Sequence, residues 1–80
     1  MLSMSKAIVW GQTNCSKCKD AVTWLRKREC EVEERIIGEP DSKWTKKDLI
    51  EVVPNARSVP QIFIDGKYIG GYNNLIDAYI

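Results

Sequence analysis

An apolar run, Lys6-Ala7-Ile8-Val9-Trp10, ends at Gly11 and gives way almost at once to Thr13-Asn14-Cys15-Ser16-Lys17-Cys18. The run is short, partly β-branched and bounded by glycine, the signature of a buried strand. From Cys15 to Glu29 the pattern becomes helical, with Cys18, Ala21, Val22 and Leu25 recurring at the spacing of one apolar stripe. A strand that runs straight into a helix constrains the fold more than any other feature here, and it places two thiols at the junction. Cys15 falls at the helix N-terminus, where unpaired N–H groups and the helix dipole favour an anion. The thiolate is the nucleophile of disulfide exchange. Cys18, one turn further on, is near enough to close a small disulfide ring with it.

The remaining elements follow from local signals. Glu31 to Ile37 alternates charged and apolar residues, a strand with Val32 and Ile36 facing inward. Gly38-Glu39-Pro40-Asp41 is a loop. Thr45-Lys46-Lys47-Asp48 has the form of a capping box and opens a short helix through Leu49, Ile50 and Val53 that Pro54-Asn55 stops. Pro60 starts a third strand, Gln61-Ile62-Phe63-Ile64. Asp65-Gly66 is a two-residue hairpin signal, and Lys67-Tyr68-Ile69 returns as a fourth strand. Gly70-Gly71 breaks the chain, and Asn73 or Asn74 is expected to cap a last helix carrying Leu75, Ile76 and Tyr79. The order is β-α-β-α-β-β-α, an α/β fold in one domain, residues 1–80. Its first two strands are expected to be parallel, with the hairpin antiparallel and helices covering the sheet.

Composition removes several classes. Twelve basic residues against eleven acidic ones leave a net charge of +1, which points to neither nucleic acid nor a membrane surface. No run approaches the roughly 18 apolar residues of a membrane span, and Met1 to Lys6 lacks the apolar centre of a signal peptide. A cytoplasmic location is the expectation. The three cysteines are an odd count for a secreted disulfide scaffold. A structural zinc site wants four N or S ligands, and a chain with no histidine and only Cys30 beyond the pair does not supply them.

Cys15-Ser16-Lys17-Cys18, Ser58-Val59-Pro60-Gln61-Ile62-Phe63-Ile64-Asp65-Gly66 and Gly70-Gly71-Tyr72-Asn73-Asn74-Leu75, in this order and at these separations, resemble the glutaredoxins over nearly the whole chain. The resemblance implies a thioredoxin-like fold, a four-stranded mixed sheet with helices on both faces. It implies a dithiol thiol–disulfide oxidoreductase in which Cys15 attacks and Cys18, buried on the apolar stripe, resolves. It makes glutathione a co-substrate, with no further cofactor and no metal required. The partners it implies are glutathione and disulfide-containing proteins, ribonucleotide reductase among them, with the chain acting as a monomer. Two other readings stay open: a redoxin reduced by thioredoxin reductase, and a module holding an iron–sulfur cluster with glutathione, since Ser16 stands where many members carry proline.

The same resemblance nominates the residues that hold glutathione. Ser58, Val59 and Pro60 present a backbone edge, with a cis bond expected at Pro60 that turns Val59 toward Cys15, so that a bound peptide pairs with it as an added strand. Gly70, Gly71, Asn73 and Asn74 form a surface for the γ-glutamyl end. Gln12 stands where many members have a lysine or arginine facing the glycine carboxylate, and Asn73 and Asn74 stand where they carry at least one aspartate. Lys17 or Arg57 is a candidate for the missing cation, and the neutral amides predict weaker binding of the glutamyl ammonium. Cys30, Trp10, Trp24 and Trp44 read as packing residues, and Lys43 to Lys47 as a solvated stretch ahead of a helix.

Overall fold

The computed structural model describes residues 4–79; residues 1–3 and 80, included above in one domain and in the reading for a leader, lie outside them. Seven elements follow in order: β1 (Lys6–Gly11), α1 (Ser16–Lys27), β2 (Glu31–Ile36), α2 (Lys46–Val52), β3 (Gln61–Ile64), β4 (Lys67–Gly70) and α3 (Tyr72–Tyr79). The strands form one mixed sheet in the order β2-β1-β3-β4. β1 runs parallel to β2, with Ala7 opposite Val32 and Gly11 opposite Ile36, and antiparallel to β3, with Val9 opposite Ile62. This is the thioredoxin-like arrangement.

Alternation along the strands divides the interior into two layers, because successive side chains leave a strand on opposite faces. Ala7, Val9, Ile62 and Ile64 point to one face and pack with Ala21, Val22 and Leu25 of α1 and Leu75 of α3. Trp10 points to the other, with Ile37, Leu49 and Val53, and there Ile8, Phe63 and Trp44 close around it. The stripe read from sequence is the buried face of α1: Cys18, Ala21, Val22 and Leu25 are its buried residues. Removing a core side chain such as Leu25, with no exposed surface, down to alanine costs about 2–5 kcal/mol.

The ends of the elements follow local chemistry. α1 stops at Lys27, two residues before the expected Glu29, because Glu29 turns to φ +61° and the N–H groups of Glu29 and Cys30 return to the carbonyls of Arg26 and Leu25. In α2 the Thr45 side chain accepts the Asp48 N–H while the Asp48 carboxylate accepts the Thr45 N–H, the reciprocal pair its sequence implied. The β3–β4 turn takes positive φ at Asp65 (+50°) and Gly66 (+81°), as a type I′ hairpin needs. α3 departs from expectation. It starts at Tyr72, so Asn73 and Asn74 lie in its first turn, and Asn74 Oδ1 reaches back to accept the Gly71 N–H at 3.0 Å. The cap is therefore made from inside the helix, by a side chain three residues on.

On β2, Glu33 and Arg35 share the α2 face, where the Arg35 Nε meets Glu33 Oε2 at 2.6 Å. That guanidinium holds the Glu33 carboxyl below the usual range. It also lies over the rings of Trp44 and Trp10, with centroids 4.1 and 5.1 Å away.

Candidate active site

The β1–α1 junction carries Cys15 as the N-cap of α1, with extended backbone (φ −110°, ψ 108°). A cap side chain accepts a backbone N–H from the first turn. Here the acceptor is sulfur: Cys15 Sγ receives the Cys18 N–H at 3.2 Å. Cys15 is half-buried, whereas Cys18 is 4% exposed, and both thiols are free. Burial, reinforced by the neighbouring Cys15 sulfur, pushes the Cys18 thiol up to about 12. The two sulfurs thus differ in access, one half-buried with an N–H aimed at it and one buried and held protonated behind it.

Room for Cys18 comes from β1. A Cβ added at Gly11 would stand 3.0 Å from both Cβ and Sγ of Cys18. Gly11, read from sequence only as the end of a strand, is thus the floor on which the inner thiol rests.

The Val59–Pro60 bond is cis, and the Val59 carbonyl lies 3.8 Å from Cys15 Sγ. Gln61 braces this loop. It is 7% exposed, its amide donates to the Ser58 carbonyl at 2.9 Å, and its Oε1 accepts from the Tyr68 hydroxyl at 2.6 Å. A buried amide needs its partners, and here they tie β3 and β4 to the segment that faces Cys15. Sequence reasoning passed over Gln61, whose polar side chain in an apolar strand was the available signal.

Two open grooves flank Val59. One, of about 220 Å³, is lined by Lys17, Ser58, Val59, Pro60, Gly71, Tyr72, Asn73 and Asn74. It gathers most of the residues nominated for the γ-glutamyl end. Gly70 is not on its wall: it is buried, and the Asn74 side chain packs over it. Lys17 reaches across so that its Nζ sits 4.9 Å from the centre of the Tyr72 ring. The other groove, of about 150 Å³, holds Gln12, Arg57 and Lys46 against Leu49, Ser58 and Val59. Arg57 was a candidate cation. Lys46, in sequence part of a solvated stretch, comes to the same groove as Gln12 only through the docking of α2 on the sheet.

No group of three or more His, Cys, Asp or Glu side chains placed to hold a metal occurs among the described residues. Cys30 lies beyond the far end of α1, 5% exposed, with its S–H donated to the Ser5 carbonyl at 3.3 Å. No helix of the described residues is long and apolar enough to cross a membrane.

The glutaredoxin family model matches residues 3–69. A curated relative, glutaredoxin-C4 of Arabidopsis thaliana, is 28% identical over 78 residues, covering 98% of this chain. The chain spans 58% of that relative's length. Among solved structures, glutaredoxin 1 of Francisella tularensis, complexed with cacodylate, aligns with TM-score 0.74 at 24% identity, over 91% of this chain and 90% of that one. A buckwheat glutaredoxin in complex with glutathione aligns with TM-score 0.69 at 23% identity, over 94% of this chain and 68% of that one. Both share the fold described above.

Proposed function

The chain belongs to the glutaredoxin family, and on that premise we propose that it is a dithiol thiol–disulfide oxidoreductase with Cys15 as nucleophile and Cys18 as resolving thiol. One observation carries the reading: a half-exposed Cys15 sulfur that receives the Cys18 N–H, with the Cys18 thiol buried behind it. The Cys15 thiolate attacks one sulfur of a substrate disulfide. The S–S bond breaks, the departing sulfur leaves with the electron pair and takes a proton from solvent, and a mixed disulfide forms on Cys15. Cys18 stays protonated until then. The mixed disulfide removes the Cys15 charge and the Cys15–Cys18 hydrogen bond, two of the influences that hold the Cys18 proton, so the inner thiol becomes easier to ionise. It then attacks Cys15 Sγ and releases the second substrate thiol. Two glutathione molecules return two electrons to the Cys15–Cys18 disulfide and leave as glutathione disulfide.

Glutathione as co-substrate is supported by the backbone edge at Val59 and by the groove at Gly71–Asn74, together with the glutathione bound by the buckwheat relative. The test is reduction of a glutathione mixed disulfide and of a protein disulfide by two variants. Cys15→Ser abolishes both activities. Cys18→Ser keeps the first and loses the second. Equal loss in the two variants refutes the division of roles.

A second reading has one specific support. Among the described residues, no carboxylate that would pair with the glutamyl ammonium lines the groove at Gly71–Asn74. In that reading thioredoxin reductase, rather than glutathione, returns the electrons. Turnover with glutathione and its reductase, against turnover with thioredoxin reductase alone, separates the two.

A further inference from the structure

The walls of the two grooves that flank Val59, whose carbonyl lies 3.8 Å from Cys15 Sγ, carry charge of one sign. Among the described residues, Lys17 is the only charged one lining the groove at Gly71–Asn74. Among the described residues, Lys46 and Arg57 are the only charged ones lining the groove at Gln12. The ion pairs of the described residues are Lys6–Glu33, Arg26–Glu34 and Arg35–Glu33, so none of these three cations has a carboxylate partner among them. In a chain of net charge +1 this is a local concentration. Lys17 is moreover steered, because its ammonium rests on the Tyr72 ring at the groove wall.

Such a surface discriminates among disulfides. A γ-glutamyl group brings a carboxylate and an ammonium together. Lys17 attracts the first and repels the second, and the neutral amides of Asn73 and Asn74 do not compensate. An acidic side chain on a polypeptide brings the carboxylate alone. An extended segment lying along Val59 with its disulfide-bonded cysteine at Cys15 reaches both grooves, one on each side. We infer that the preferred oxidised substrate is a polypeptide segment with acidic residues flanking its disulfide cysteine, and that Lys17 is the residue that selects it over glutathione disulfide. The inference rests on the oxidoreductase reading above and adds the substrate class.

The experiment uses the full chain and three probes. These are the symmetric disulfide of an N-acetylated, C-amidated Glu-Cys-Glu peptide, its Gln-Cys-Gln counterpart, and glutathione disulfide. Rate constants are measured for wild type, Lys17→Gln, Lys17→Arg and Asn73→Asp, and each variant's Glu-to-Gln ratio is divided by that of wild type to cancel intrinsic disulfide reactivity. Exposed ion pairs are worth about 0.2–1 kcal/mol, so removing one cation lowers the ratio by roughly 1.4- to 5-fold. Lys17→Gln is expected to show this loss, Lys17→Arg to restore the ratio, and Asn73→Asp to shift preference toward glutathione disulfide. Raising the salt to about 0.5 M compresses the wild-type ratio, because screening then acts over a few ångströms. A Glu-to-Gln ratio that is the same in Lys17→Gln as in wild type, with Cys15 reducing both peptides, overturns the inference and leaves the oxidoreductase reading intact. No reaction of Cys15 with any of the three disulfides overturns both.

Discussion

Adding one methyl group at Gly11 tests how the inner thiol is seated. The new Cβ would lie 3.0 Å from Cys18 Cβ and 3.0 Å from its Sγ, where carbon contacts are comfortable at about 3.5–4.0 Å. Neither side yields easily. The Gly11 carbonyl is bound by the Ile37 N–H at 2.9 Å, so the strand is pinned to its neighbour. Cys18 sits in the first turn of α1, and its own N–H is spent on Cys15 Sγ. Overpacking of this kind costs about 1–3 kcal/mol. A Gly-to-Ala change also removes freedom from the unfolded chain, which offsets about 0.4–1 kcal/mol. The net expectation for Gly11→Ala is a loss of about 0.5–2 kcal/mol. With a urea slope of about 1 kcal/mol/M for a small domain, the midpoint falls by about 0.5–2 M. In a Cys18→Ala background one of the two contacts is gone, so the cost shrinks. If Cys18 resolves as proposed, Gly11→Ala is also expected to slow reduction of a protein disulfide more than reduction of a glutathione mixed disulfide. A midpoint that does not fall, or a cost identical in both backgrounds, refutes the view that Gly11 makes room for the thiol.

Two further outcomes follow from other parts of the molecule. Thr45→Ala removes one half of the capping box and one orphan-donor partner from a seven-residue helix, and is expected to cost about 1 kcal/mol in urea unfolding; a change within about 0.3 kcal/mol would contradict it. Above pH 9 the folded protein keeps the Cys18 proton, which burial holds up to about 12, while the unfolded chain releases its own near 9. The unfolded state then binds fewer protons, so stability falls as pH rises through that window and is unaffected by this group below it. Cys30, raised chiefly by burial, acts in the same direction. Urea midpoints between pH 8 and pH 11 should decline more gently for Cys18→Ala than for wild type; equal slopes would refute the assignment.

What sequence disclosed and what it hid separate along physical lines. The Asp65-Gly66 turn, the Thr45–Asp48 box and the stripe from Cys18 to Leu25 are local patterns whose energies come from residues a few positions apart, and each formed where expected. The α3 start was misplaced because an asparagine works either as a cap or from three residues inside, and the choice here rests on Gly71 occupying the cap. Lys46 beside Gln12, Gly11 under Cys18, Gln61 bracing Ser58 and Arg35 over Trp10 and Trp44 are all products of elements meeting across the chain. No spacing rule encodes them, so the two thiols and most of the wall at Gly71–Asn74 were legible while the contacts that brace and seat them were not.

The sheet order leaves β2 as an outer strand, and its sequence, Glu31 to Ile36, places three carboxylates in six positions. A second copy offering the same strand side by side would set like charges within reach of one another. Repulsion of that sort is a common guard against sheets extending from molecule to molecule.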